Sequence, residues 1–211
     1  MGLRRRSEVE KAAVRYVQQG WRVLPGSAYD RGRFFSPFTG VLTDGVRPVV
    51  ARESATTDET AVARWWAAGG RWVPSVLLCS WAEFRFVSMP RYLAHAVLLS
   101  EAWRSRPGPV LYRGDRGRAY FVVAGERRLA EDCVPPAEVE EMAVGEWVVA
   151  PPSRVLGVHV TWWIAPERVR WDPVPAELLR DALSSASPIT HFERTPESAH
   201  SARTGARGKV G

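Results

Sequence analysis

The sequence predicts an α+β domain in which helices flank an antiparallel or mixed sheet, and three observations predict it. Apolar residues recur at helical spacing in four separate segments. Short apolar runs closed by glycine or proline lie between those segments, and two of them are joined by a turn-rich connection. The order is helix, strand, loop, helix, two strands, helix, hairpin, two strands, helix, which is not the regular alternation of a parallel βαβ sheet. At 211 residues the chain is long enough for one domain with a full core.

The first helix is expected over Ser7 to Gln19. Ser7 can cap it, Glu8 and Glu10 suit its positive end, and Val9, Ala13, Tyr16 and Val17 share a face before Gly20 ends it. Trp21 to Leu24 reads as a strand stopped by Pro25 and Gly26. From Gly26 to Arg52, Gly, Pro, Asp and Ser interrupt every pattern, so a long irregular loop is expected there. Thr56-Thr57-Asp58-Glu59 has the form of a capping box, with Thr56 as cap, and opens a helix through Val62, Trp65 and Trp66 to Gly69. Strands follow at Ser75 to Ser80 and Glu83 to Met89. One helix is then expected from Pro90 to about Arg104. Val110 to Tyr112 and Arg118 to Val123 form a hairpin across Arg113-Gly114-Asp115-Arg116-Gly117. Strands at Glu146 to Ala150 and His159 to Ile164 and a helix from Pro175 to about Leu183 complete the domain. The expected organisation is a basic flank over 1–6, the domain over 7–183, and a disordered tail rich in Ser, Thr, Ala, Gly and Arg over 184–211.

Hydrophobic residues at 45% and charged residues at 25% are ordinary for a soluble globular protein. Ten tryptophans, and only two lysines (Lys11 and Lys209) against many arginines, point to a GC-rich source genome. The net charge of +6 is compatible with a polyanionic partner, although part of it lies in the flanks, at Arg4, Arg5, Arg6, Arg203, Arg207 and Lys209. Cys79 and Cys133 have no CxxC spacing, which argues against a disulfide framework or a zinc site and fits a reducing cytoplasm. MGLRRR is followed by the charged SEVEK, not by the apolar stretch of a signal peptide, and no apolar run approaches the ~20 residues of a membrane helix. A cytoplasmic protein without a membrane partner is the expectation.

Three stretches carry a family resemblance. The first runs from Ala12-Ala13-Val14-Arg15-Tyr16 through Gly20-Trp21-Arg22-Val23-Leu24-Pro25. The second is Ala55-Thr56-Thr57-Asp58 with Arg64-Trp65-Trp66. The third is Val148-Val149-Ala150-Pro151-Pro152-Ser153-Arg154 with Gly157 and Trp162. In this order over about 9–183 they resemble the bifunctional DNA primase/polymerase (prim-pol) N-terminal domain family, and are most similar to its short actinobacterial members. The resemblance implies the RRM-like core of archaeo-eukaryotic primases and a place in DNA replication. It also implies nucleotidyl transfer by two metal ions held on clustered carboxylates.

Against that pattern the site positions differ. Short relatives read F-D-V-L-D-V-P where this chain reads Phe84-Arg85-Phe86-Val87-Ser88-Met89-Pro90, so Arg85 and Ser88 stand at the two aspartate places. Hard divalent ions need anionic oxygen, and neither residue supplies it. Glu83 is the nearest carboxylate, placed by alternation on the face of Arg85 and suited to pair with it. A family histidine that contacts triphosphate, in the pattern G-G-x-H-x-x-F, is matched by Arg118, which can still meet phosphate. His95, His159, His191 and His200 include no pair at ligand spacing, and residues 26–53 lack the Cys and His that suggest zinc in many short relatives.

Arg113, Arg116 and Arg118 on a glycine-rich hairpin could grip phosphates, with Tyr112 or Tyr120 stacking a base, or they could be a solvated hairpin tip. Arg154 matches a family position near the nucleotide site. The sequence thus supports a prim-pol-like pseudoenzyme that binds nucleic acid, nucleotide or a partner protein, with no metal and no cofactor. An active nucleotidyltransferase using Mg²⁺ or Mn²⁺ through Glu83, Asp115 or another carboxylate is one alternative. A purely regulatory interaction protein is the other.

Overall fold

Two hydrophobic cores lie on opposite faces of one five-stranded antiparallel sheet. The computed structural model describes residues 7–125, 127–129 and 135–191. The basic flank, Cys133, His200 and the tail from 192 onward lie outside the described residues.

Helix α1 (Glu8–Gln18) begins at Ser7, whose hydroxyl accepts from the Glu10 amide at 3.1 Å. Strand β1 (Val23–Gly26) runs through Pro25 and does not stop before it. This is tolerated because β1 is an edge strand, laddered to β5 (Ser75–Cys79) on one side and met on the other by isolated bridges at Val23 and Gly26. The expected irregular loop contains a three-stranded meander, β2 (Ala28–Asp30), β3 (Arg33–Phe35) and β4 (Leu42–Thr43), followed by a 3₁₀ turn at Arg52–Ser54. Arg31 and Gly32, both at positive φ, make the tight hairpin turn, and Tyr29 and Phe34 pack with ring centres 5.0 Å apart.

Helix α2 (Glu59–Ala68) is capped by Asp58, which accepts from the Thr60 amide at 2.8 Å. The expected capping box on Thr56 is not formed. Its hydroxyl accepts from the Asp58 amide instead, and its backbone is bridged to Val23. After β6 (Phe84–Pro90) the expected single helix is two, α3 (Arg91–Leu99) and α4 (Glu101–Ser105). Ser100 is extended at the join, and its hydroxyl caps the Trp103 amide at 3.2 Å, so the first helix cannot continue through it.

Then come β7 (Val110–Arg113), β8 (Arg118–Ala124), β9 (Glu140–Glu141), β10 (Trp147–Ala150), the small hairpin of β11 (Arg154–Val155) and β12 (Val158–His159), β13 (Thr161–Ile164), and α5 (Ala176–His191). Helix α5 passes Leu183, where the sequence places its end, because Leu179, Ala182, Leu183 and Ala186 keep the helical period and are buried.

The five-stranded sheet has the order β13-β7-β8-β6-β9, and a three-stranded sheet has the order β1-β5-β10. The first core joins α1, α2, the three-stranded sheet and one face of the larger sheet, through Trp66, Leu77, Phe84, Phe86 and Val122. The second packs α3, α4 and α5 on the other face, through Met89, Leu93, Trp103, Phe121 and Leu179. Each such side chain, fully buried, contributes roughly 1.5–3 kcal/mol.

Candidate functional site

Alternation along β6 decides what its side chains can do. Paired residues on neighbouring antiparallel strands point to the same face. Leu111, Tyr120, Ser88 and Glu140 are successive partners across β7, β8, β6 and β9, and Arg113 is opposite Arg118. Ser88, Tyr120, Arg113 and Arg118 therefore share one face, beside the first core. Arg85 is opposite Val123 and belongs with Val87 and Met89 on the helix-covered face. The two places matched to aspartates thus lie on opposite faces of one strand and do not meet.

Arg85 is largely buried and pairs with Glu141 of β9 at 2.6 Å, the two side chains being 14% and 18% exposed. It also donates to the Gly125 carbonyl, and Glu141 accepts a further bond from the Leu129 amide at 3.0 Å. The expected Glu83 to Arg85 pairing is not made. Glu83 precedes the strand, is exposed, and gives its carbonyl to the Gly125 amide at 3.0 Å.

A cleft of about 530 Å³ opens on the other face. Its lining includes Ser88, Tyr120, Arg52, Arg113, Arg116 and Arg118, together with Glu140, Glu141 and Glu146. Arg118 reaches across the strand pair, and its Nε donates to the Ser88 hydroxyl at 2.8 Å. Its Nη2 donates to the Ser88 and Glu138 carbonyls at 3.2 and 2.8 Å and lies 3.5 Å from the Glu140 carboxylate. The residue that the sequence pattern matches to a histidine thus holds one that it matches to an aspartate.

Arg113 is buried and forms a two-point ion pair with Asp115 at 3.1 and 2.6 Å. Asp115 is therefore committed to this arginine, and no carboxylate on the hairpin remains open for a metal. Glu146 accepts from the Ala143 amide at 2.6 Å. Among the described residues, Arg52 and Arg116 line the cleft with no ion pair of their own. Burial holds the Tyr120 phenol above its ordinary pKa, against the pull of Arg113, Arg116 and Arg118.

Tyr112 lies on the opposite face from Tyr120 and does not line the cleft. Arg154 is not part of it either. It lines a separate cavity of about 320 Å³ with Glu8, Tyr29, Ser75 and His159. In the Pro-Pro-Ser stretch beside it, the Ser153 hydroxyl accepts from the buried Val76 amide at 2.8 Å. His95 packs edge-on against Trp163, and His159 is exposed on β12. Burial pushes the Cys79 thiol up to about 12, so it stays protonated and unreactive at neutral pH. Arg52 and Glu140 are absent from the sequence-derived set, because only folding brings the meander's 3₁₀ turn and the short β9 to this face.

Divalent ions take several oxygen ligands, carboxylates foremost. Among the described residues no group of three or more His, Cys, Asp or Glu is placed to hold a metal ion. The described donor set of the cleft therefore does not fit a two-metal centre. Among the described residues, no helix is long and apolar enough to cross a membrane. The model of the family described as "Bifunctional DNA primase/polymerase, N-terminal" (Prim-Pol) matches residues 13–177. No curated protein and no solved structure matches the chain.

Proposed function

Because the chain belongs to the Prim-Pol family of bifunctional DNA primase/polymerase N-terminal domains, we propose that it is a non-catalytic member whose arginine-lined cleft binds single-stranded nucleic acid through its phosphates, without a divalent ion. On this reading it is a cytoplasmic protein of the short actinobacterial type, with the RRM-like sheet of archaeo-eukaryotic primases.

The observation that carries the reading is the bond from Arg118 Nε to Ser88 Oγ. A neutral hydroxyl stands where the family pattern has a carboxylate, and a fixed cation is bonded to it. Two unit charges about 4 Å apart interact by about 4 kcal/mol at an effective dielectric of 20, and a divalent ion doubles that repulsion. The same cations favour phosphate. Among the described residues, Arg52 and Arg116 have no carboxylate to give up first, whereas Arg113 and Arg118 shape the cleft while held by Asp115, Ser88 and the Glu138 carbonyl.

The test is fluorescence anisotropy of a labelled oligo-dT in EDTA across a salt series, alongside primer extension with Mg²⁺ and Mn²⁺. The reading predicts binding in EDTA that weakens steeply with salt, and no extension product. Metal-dependent extension by the wild-type protein would establish the competing reading, an active nucleotidyltransferase. Absence of binding at low salt would overturn the cleft's proposed role and favour a partner protein.

A further inference from the structure

The hairpin that carries Arg113 and Arg116 also carries an aromatic tier on its far side. Tyr112 stacks on Trp163 of β13 with ring centres 4.4 Å apart and planes 14° from parallel. His95 of α3 meets Trp163 edge-on at 4.9 Å and accepts from Arg91 Nε at 3.4 Å. Tyr112 and Trp163 are half-buried, His95 is exposed, and β13 is the outermost strand of its sheet.

The connection over residues 114–117 joins this tier to the cleft. Arg116 lines the cleft from the connection, and the Gly117 carbonyl accepts from the Arg91 amide at 3.0 Å. A Cβ at Gly114 would lie in ordinary contact with the ring edge, 3.6 Å from Tyr112 Cε1, so a larger side chain there would lie against that ring. Asp115, the one acid on the connection, is neutralised by Arg113. Arg91 beside the connection and Arg116 on it have no ion pair among the described residues.

We propose that this tier is a base-stacking site for single-stranded nucleic acid whose phosphates lie in the cleft. The strand leaves the cleft at Arg116, crosses the glycine-bearing connection, and adds an unpaired base to the Tyr112 and Trp163 stack, with Arg91 beside it. Proteins that hold single strands without sequence preference combine these two elements, a cationic track and aromatic rings, and stacking accepts any base. The inference rests on the reading of the cleft as a phosphate site and extends it to the bases.

The experiment compares three ligands by competition anisotropy: oligo-dT of about 12 nucleotides, a length within the range that single-strand-binding OB folds cover, an abasic strand of equal length, and inorganic triphosphate. Wild-type protein is expected to prefer oligo-dT over the abasic strand by roughly tenfold, the value of one stacked base. Gly114→Ile, which covers the Tyr112 edge without removing a core side chain, and Trp163→Leu should each abolish that preference and leave triphosphate affinity unchanged. Arg116→Ala should weaken all three ligands. Equal wild-type affinity for the two strands, or a preference that survives both tier variants, would overturn the inference while leaving the cleft reading intact. If wild-type protein binds none of the three, the cleft reading falls and this inference falls with it.

Discussion

The aromatic cluster under α1 and the cleft face of β6 and β8 are built from the same sheet and have opposite characters. In the first, Tyr16 stacks on Trp21 at 5.9 Å, Trp21 meets Phe84, Trp162 and Trp171 within 6.0 Å, and the Tyr16 hydroxyl donates to the Pro151 carbonyl at 2.8 Å. The stretches that carry the family likeness meet here or pack into the same core: Gly-Trp, the Trp-Trp helix and Pro-Pro-Ser. On the cleft face, Ser88 and Arg118, which the sequence resemblance sets at an aspartate and a histidine place, are bonded to each other. Packing residues can identify a family while the chemistry beside them is exchanged, because burial constrains the first region and ligand chemistry the second.

The comparison is broken most severely from the aromatic side. Trp21→Ala removes a nearly fully buried ring with four aromatic neighbours and is expected to cost about 3–5 kcal/mol in denaturant unfolding. A loss below about 1 kcal/mol would show that the cluster does not hold the fold. Ser153→Ala leaves the buried Val76 amide without its acceptor, and about 1–3 kcal/mol should be lost in the same assay. On the cleft side the pattern reverses. Arg116→Ala should change stability by no more than about 0.5 kcal/mol and reduce the salt slope of oligo-dT binding by about one. An unchanged slope would remove Arg116 from the phosphate track.

The smallest effect at neutral pH belongs to Cys79. Its folded pKa is raised from 9.0 to about 12 by burial, so its contribution is fully present below pH 9 and is lost as pH rises toward 12. Wild-type stability should therefore fall more steeply across that window than that of Cys79→Ala, as measured by urea midpoints. Parallel pH profiles would contradict it.

The helices were legible in the sequence because their apolar residues repeat at a helical period, as in α1 and α5. The meander was not, since strands of three and two residues cannot establish a period of two, and its turn rests on positive φ at Arg31 as well as at Gly32. Ser100 falls in mid-segment of an apolar helical pattern, and its cap bond becomes visible only with Trp103 in place.

Of the candidate site, Arg113, Arg116 and Arg118 were readable as a basic hairpin and do line one cleft. Their states were not readable. Arg85 finds Glu141 across 56 positions of sequence, and Arg118 finds Ser88 across 30, contacts that strand register creates. The separation of residues 85 and 88 by strand alternation was open to the sequence alone, since three positions along a strand is an odd number. Arg154 lines a different cavity from the hairpin arginines, a separation that the sequence pattern does not reveal.

The central claim, that arginine has taken the place of metal chemistry in the cleft, is tested most directly by titrating Mn²⁺ into the folded wild-type protein and reading free ion by electron paramagnetic resonance. The free signal is expected to rise with added Mn²⁺ as it does in buffer, with no stoichiometric binding. One or two tightly bound ions, released by Glu140→Gln, would contradict it.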